Sequence, residues 1–207
     1  VFTRMVNLDF TVSAAMVLVP ALVLFAVLVL LRARAGSPGW TGRHALLRLG
    51  GALYAAAVLQ LTIFPLHVAF GTYANQTPWY EMVQWVPLII ADFSFVPNVI
   101  MMLPLGALLP LMSVRVSSPG RAALAGAGIS LAIELTQMLS YILFSNGRSV
   151  DINDVIANTL GTVLGFLALR WVARARSLAG LVQELALPAA RPAGIPATGH
   201  GHAGPAS

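Results

Sequence analysis

Five apolar runs, each near the length that crosses a bilayer, alternate with short polar stretches along the chain. A hydrocarbon layer about 30 Å thick takes roughly 20 helical residues at 1.5 Å each. On that measure spans are expected at about Thr11–Leu31, Leu49–Ala69, Phe93–Met112, Ala122–Phe144 and Val155–Trp171. The first carries no charge, contains Pro20 and is followed directly by Arg32 and Arg34. A secretory signal places its positive charge before a shorter apolar core, so this pattern reads as an anchor with its N-terminus outside. The second ends in Leu-Thr-Ile-Phe-Pro at 61–65. The third holds Pro97, Pro104, Gly106 and Pro110, breakers whose freed carbonyls must be met by neighbours or a polar cavity. The fold class this predicts is an all-α polytopic transmembrane bundle of about five spans.

Between and after the spans the pattern changes. Residues 70–92 form the longest loop on the outer side, with Tyr73, Trp79, Tyr80 and Trp85 spaced through it. Aromatics of this kind sit at headgroup level, which predicts an interfacial helix; a lid over a ligand is the sharper alternative. Four segments follow from the whole pattern. Residues 1–45 are an N-terminal anchor and cytoplasmic loop, and 46–172 are the main transmembrane domain. Residues 173–187 read as an amphipathic segment on the inner surface. The Pro-, Gly- and Ala-rich residues 188–207 read as a disordered tail.

Composition supports the membrane reading: 58% of the 207 residues are hydrophobic and 9% charged, with a mean hydropathy of +0.83. Soluble domains carry about a quarter charged residues. All twelve basic residues are arginine, and alanine is abundant, as GC-rich bacterial coding would produce. The chain opens on Val1, the mark of a fragment or of a non-ATG start translated literally. The pI near 10.7 points to nucleic acid only until the arginines are placed. They flank apolar runs singly or in pairs and form no basic patch, so no nucleic-acid partner is expected. Ten of the twelve fall on one set of loops; Arg4 and Arg148 alone fall on the other. The positive-inside rule makes the rich side cytoplasmic, with the N-terminus out and the C-terminus in. There is no cysteine, and His200 and His202 make an incomplete ligand set, so no metal or cofactor is expected.

The remaining polar residues are in costly places. Glu134 lies near the middle of the fourth span, and Gln137, three residues on, shares its face. Asp151, Asp154, Asn158, Gly161 and Gly165 follow one helical face, with two glycines four apart that permit close packing. Asn98 adds an amide in the third span. We expect Asn98, Glu134, Gln137, Arg148, Ser149, Asp151, Asp154 and Asn158 to converge on one outward-open binding pocket, with Arg148 as the counter-ion of Glu134. A purely structural alternative makes Asp151 or Ser149 the N-cap of the fifth span and Glu134 a paired core group.

Three stretches resemble VanZ-like membrane proteins. Asn98-Val-Ile-Met-Met-Leu-Pro104-Leu-Gly106 is similar to their Asn-…-Pro-x-Gly signature, and Ser130-Leu-Ala-Ile-Glu134-Leu-Thr-Gln137 to their Ser-…-Ile-Glu-x-x-Gln helix. Arg148-Ser149-Val-Asp151-Ile-Asn-Asp154-Val-Ile-Ala-Asn158-Thr-Leu-Gly161 resembles their Arg-Ser/Thr-x-Asp-x-x-Asp-x-x-x-Asn-x-x-Gly element. The Leu-Thr-Ile-Phe-Pro run and Trp85-Val-Pro87 also fit, and the likeness covers roughly residues 46–172. It departs slightly at Asn153, and before Pro87 it lacks the family's common Asn, which weakens the case for a role of residue 153 and of the loop before the third span. The family's founding member is associated with low-level resistance to teicoplanin, a glycopeptide that binds cell-wall precursors. The resemblance therefore implies an envelope protein that binds or modulates a membrane lipid or lipid-linked wall precursor. The alternative is an intramembrane enzyme on a lipid-linked phosphate, with Glu134 or Asp154 as general base and Arg148 holding the phosphate. A transporter is disfavoured by the lack of a visible inverted repeat.

Overall fold

The computed structural model describes residues 7–87 and 94–190. Five of its helices are long and apolar enough to cross a membrane: α1 (Ala14–Arg34), α2 (Gly42–Thr62), α3 (Phe95–Met112), α4 (Pro119–Phe144) and α5 (Ile152–Val172). A shorter α6 (Arg176–Leu185) follows, within the segment expected to be amphipathic. Two small sheets join them. β1 (Leu8–Val12) pairs antiparallel with β2 (Leu66–Phe70), and β3 (Val83–Gln84) pairs parallel with β4 (Val150–Asp151). The chain is thus a multi-pass helical membrane protein, and leucines such as Leu24 and Leu124, 70% and 75% exposed, face outward where lipid would lie.

Several boundaries move, for identifiable reasons. Thr11 and Val12 belong to β1, and α1 continues through Arg32 and Arg34, whose charges in the last turn complement the helix dipole. The second span starts seven residues before Leu49 and stops at Thr62, not Ala69. Pro65 has no N–H to continue the helix and disfavours helical geometry at Phe64, and residues 66–70 become a strand. The expected interfacial helix in 70–92 is absent from its described part, which holds two 3₁₀ turns, Gly71–Tyr73 and Trp79–Met82, and β3. Residues 88–92, like Phe93, lie outside the described residues.

The packing centre is α3, α4 and α5. A Cβ built on Gly106 would meet the Thr162 carbonyl oxygen at 1.9 Å, one on Gly161 the Val99 oxygen at 2.2 Å, and one on Gly165 the Leu103 oxygen at 1.9 Å. Backbones of α3 and α5 therefore touch, which only glycine permits. Across the other seam, Gly126 of α4 leaves room for Thr162. α2 joins through Val58, which packs with Met102 and Ile133, and through the Tyr54 hydroxyl, which donates to Met101 O at 2.9 Å.

The arginine-rich end is tied by the C-terminal segment. Leu187, 3% exposed, packs with Leu47 and Leu111, and its N–H donates to Leu111 O at 2.8 Å. His44 Nε2 lies 3.1 Å from Ala186 O, and Arg43 pairs with Glu184. Pro188–Ala190 form a 3₁₀ turn, and Val114 N–H donates to Ala189 O at 3.3 Å. This corrects the expected disordered tail at its first three residues; residues 191–207 lie outside the described part. Leu187→Ala should cost about 2–5 kcal/mol by removing a buried leucine. The melting temperature in detergent checks it: a chain ended at Leu185 should melt well below one ended at Ala190, and equal values would show that the strap bears no load.

Candidate functional site

Glu134 sits ten residues short of the end of α4 at Phe144, roughly 15 Å along the axis at 1.5 Å per residue. It is nevertheless met by the chain that follows α4. After the left-handed cap at Ser145 (φ 50°), residues 146–151 run back beside the helix, and the Asp151 N–H donates to Glu134 Oε2 at 3.1 Å. α5 therefore begins at the depth of Glu134 rather than at the level where α4 ends. Irregular backbone at such depth persists where protein or a polar cavity covers it. Here β3 covers part of it, pairing Val83 and Gln84 with Val150 and Asp151.

Each expected site residue has a defined place, and they do not share one pocket. Arg148 makes no ion pair with Glu134. Its Nη2 donates to Ile63 O and Phe64 O at 3.2 and 3.1 Å, and Gln137 Nε2 donates to Thr62 O at 2.8 Å. Together they cap the carbonyls that α2 leaves unmet where Pro65 stops it. The counter-ion role is corrected on that ground. Asp154 accepts from Asn98 Nδ2 at 2.6 Å and Ser94 Oγ at 3.2 Å, holding the starts of α3 and α5 together. Asp151 is the N-cap of α5, accepting from Asn153 N at 2.8 Å, while Ser149 is exposed and caps nothing. Asn158, 2% exposed, donates to Ser130 Oγ at 2.9 Å across the α4/α5 seam.

The hydrogen bond from Asp151 N–H is the only one made to Glu134 within the described residues, although the residue is 3% exposed. Asp151 and Asp154 both lie within electrostatic reach of it. Glu134 lines a cavity of about 150 Å³ whose other walls are largely apolar: Trp85, Leu131, Leu135, Met138, Ile152 and Val155. A second cleft, about 240 Å³, is lined by Pro65, His67, Asn146, Gly147 and Arg148. Among the described residues the two share no lining residue, so a base at Glu134 and a phosphate-holding Arg148 are not brought into one cavity. Among the described residues no cluster of three or more His, Asp or Glu is placed to hold a metal ion.

Sequence reasoning missed several of these residues. Ser130, one turn before Glu134 on the same face, was given no role beyond its place in the family-like signature; Asn146, between the fourth and fifth expected spans, was not singled out. Asn153, for which the departure from the family pattern weakened the case, is 2% exposed and tethers the 83–87 segment through Nδ2 to Val86 O at 3.2 Å. Only tertiary structure reveals that tether. His67, which falls inside the expected second span Leu49–Ala69, instead lies in β2, its Nδ1 3.0 Å from Thr11 Oγ1.

Fold and site together define a multi-pass helical membrane protein with a polar segment folded back into one end of its bundle. A family model described as VanZ/LLP1 matches residues 51–173, from within α2 to just past α5, and the chain belongs to that family. No curated protein and no solved structure matches it.

Proposed function

We propose that this protein holds a lipid or lipid-linked wall component of the bacterial cell envelope in the cavity beside Glu134. Through it, the protein alters how glycopeptides such as teicoplanin reach their target. The observation that carries the reading is the cavity itself. Ten of its eleven lining residues are apolar or neutral or, in Asp151, committed to a cap, and one is a buried carboxylate with a single hydrogen bond. Such a wall suits an amphiphile: hydrocarbon against Leu131, Leu135, Met138 and Val155, and a hydroxyl or ammonium donor against Glu134. The carboxyl group keeps acceptor capacity beyond its one bond to the Asp151 N–H, and a donor from the ligand would add a hydrogen bond worth about 0.5–1.5 kcal/mol, more if one partner is charged.

The arginine asymmetry supports an arrangement with this end of the bundle outside. Lipid extraction from detergent-purified protein, followed by mass spectrometry, tests the binding reading. One lipid class retained well above its share of the membrane supports it, and an unselected trace of bulk lipid contradicts it. Orientation is checked separately. A reporter fused after Arg176 should be active only as a cytoplasmic reporter, and activity of an exported reporter there would overturn the N-out, C-in arrangement.

A further inference from the structure

We infer that the cleft between β2 and the 146–148 segment is a second, anionic site that takes a phosphate group, independent of the Glu134 cavity. It is lined by Pro65, His67, Asn146, Gly147 and Arg148, and among the described residues no carboxylate lines it. Arg148 is half-buried, and it is held in place rather than free to sweep. Its Nη2 is fixed on Ile63 O and Phe64 O, and its backbone N–H is fixed on Asn146 Oδ1 at 3.2 Å. Those two carbonyls are partial charges and do not neutralise the guanidinium. Among the described residues no carboxylate pairs with it, and its Nη1 and Nε donors have no hydrogen-bond partner there. A fixed, unneutralised arginine at the rim of a 240 Å³ cleft is a standing attraction for an anion, and guanidinium–phosphate bonds are among the stronger charge-assisted ones.

Two further groups shape the choice of anion. His67 is exposed on β2, and Thr11 Oγ1 engages its Nδ1, which leaves Nε2 available to the cleft. Asn146 is 5% exposed, with Nδ2 committed to Ser140 Oγ at 2.7 Å and Oδ1 to the Arg148 N–H, so it stiffens the floor and adds no charge. The cleft thus offers several N–H donors and one full positive charge, the complement of a phosphate with its several acceptor oxygens. It is built on the end of α2 and the chain returning from α4, where a lipid headgroup and a free phosphate would both have access. The shared chemistry is the phosphate, and the two sources are separable by experiment.

Arg148 also caps α2, so removing it risks the fold. Gly147→Asp avoids that: a Cβ at Gly147 has nothing within 4 Å, so the variant adds a carboxylate to the cleft and leaves the cap alone. His67→Ala is a milder second variant at an exposed position. Purified protein is reconstituted in nanodiscs of phosphatidylcholine alone or with phosphatidic acid, and binding of inorganic phosphate is measured in the first. Lipid enrichment around the protein is measured in the second. Wild type should bind at least one of the two probes. Gly147→Asp should weaken that binding by tenfold or more and His67→Ala by a few-fold, with melting temperatures unchanged. Binding of inorganic phosphate identifies a free-phosphate site; enrichment of phosphatidic acid without it identifies a headgroup site. No binding of either probe, or equal binding in wild type and Gly147→Asp, overturns the inference. Gly147 does not line the Glu134 cavity, so loss of phosphate with the amphiphile retained, or the reverse, separates this inference from the proposed function.

Discussion

Gly165→Ala is expected to cost the protein upwards of about 3 kcal/mol, an effect that only the equally tight Gly106 should match among the glycines of the bundle. In an open helix the same change would gain up to about 1 kcal/mol, because alanine is the better helix former. Here the added carbon would stand 1.9 Å from the Leu103 carbonyl oxygen. A Cβ has no rotamer to escape through, and the obstacle is backbone. α5 would have to move away from α3 along its length, opening the contacts at Gly161 and Gly106 as well. Gly128→Ala is the matched control, since nothing lies within 4 Å of its Cβ and it is exposed. Melting curves in detergent should show the first variant collapse and the second hold or rise slightly. If both behave alike, α3 and α5 do not touch at Val99–Leu103.

Glu134→Gln should have the opposite profile: an intact fold and a lost function. The amide is nearly isosteric and keeps an oxygen for the Asp151 N–H, so the melting temperature should stay within a few degrees. What goes is the carboxylate as an acceptor for the ligand's donor. A hydrogen bond contributes about 0.5–1.5 kcal/mol, or about 1.5–3 where one partner is charged, so lipid retention should fall by roughly a few-fold to a hundred-fold. Any effect of the protein on teicoplanin susceptibility should vanish with it. Because Arg148 stands in a different cleft, its neighbour Gly147→Asp should combine additively with Glu134→Gln. Strong non-additivity would return the two to one network, as the polar pattern alone suggested.

That pattern carried a good deal of the structure. The helix count was legible because each apolar run matches the thickness of hydrocarbon, and the closeness of a helix at Gly161 and Gly165 was legible from their spacing. The identity of the facing helix was not, since spacing describes one surface and not its partner. Hydropathy is equally silent on depth. It placed residues 146–151 above the membrane end of α4, whereas they descend to Glu134 and start α5 there. The polar residues were chosen rightly as costly, but cost does not say what each one satisfies. Arg148 and Gln137 meet the carbonyls of an α2 that ends early at Pro65. Asn98 and Asp154 meet each other. Only Glu134 is left on a cavity wall with one bond.

The central claim is that an amphiphile occupies that cavity, and site-directed photo-crosslinking in native membranes tests it most directly. A photoreactive amino acid is placed at Met138, on the cavity wall, or at its neighbour Leu139, which is 54% exposed on the outer surface of the same helix. Irradiation followed by mass spectrometry of the adducts should give one dominant lipid class from position 138, lost in the Glu134→Gln background, and a mixture that mirrors the bulk membrane from position 139. The same bulk mixture at both positions would contradict the account.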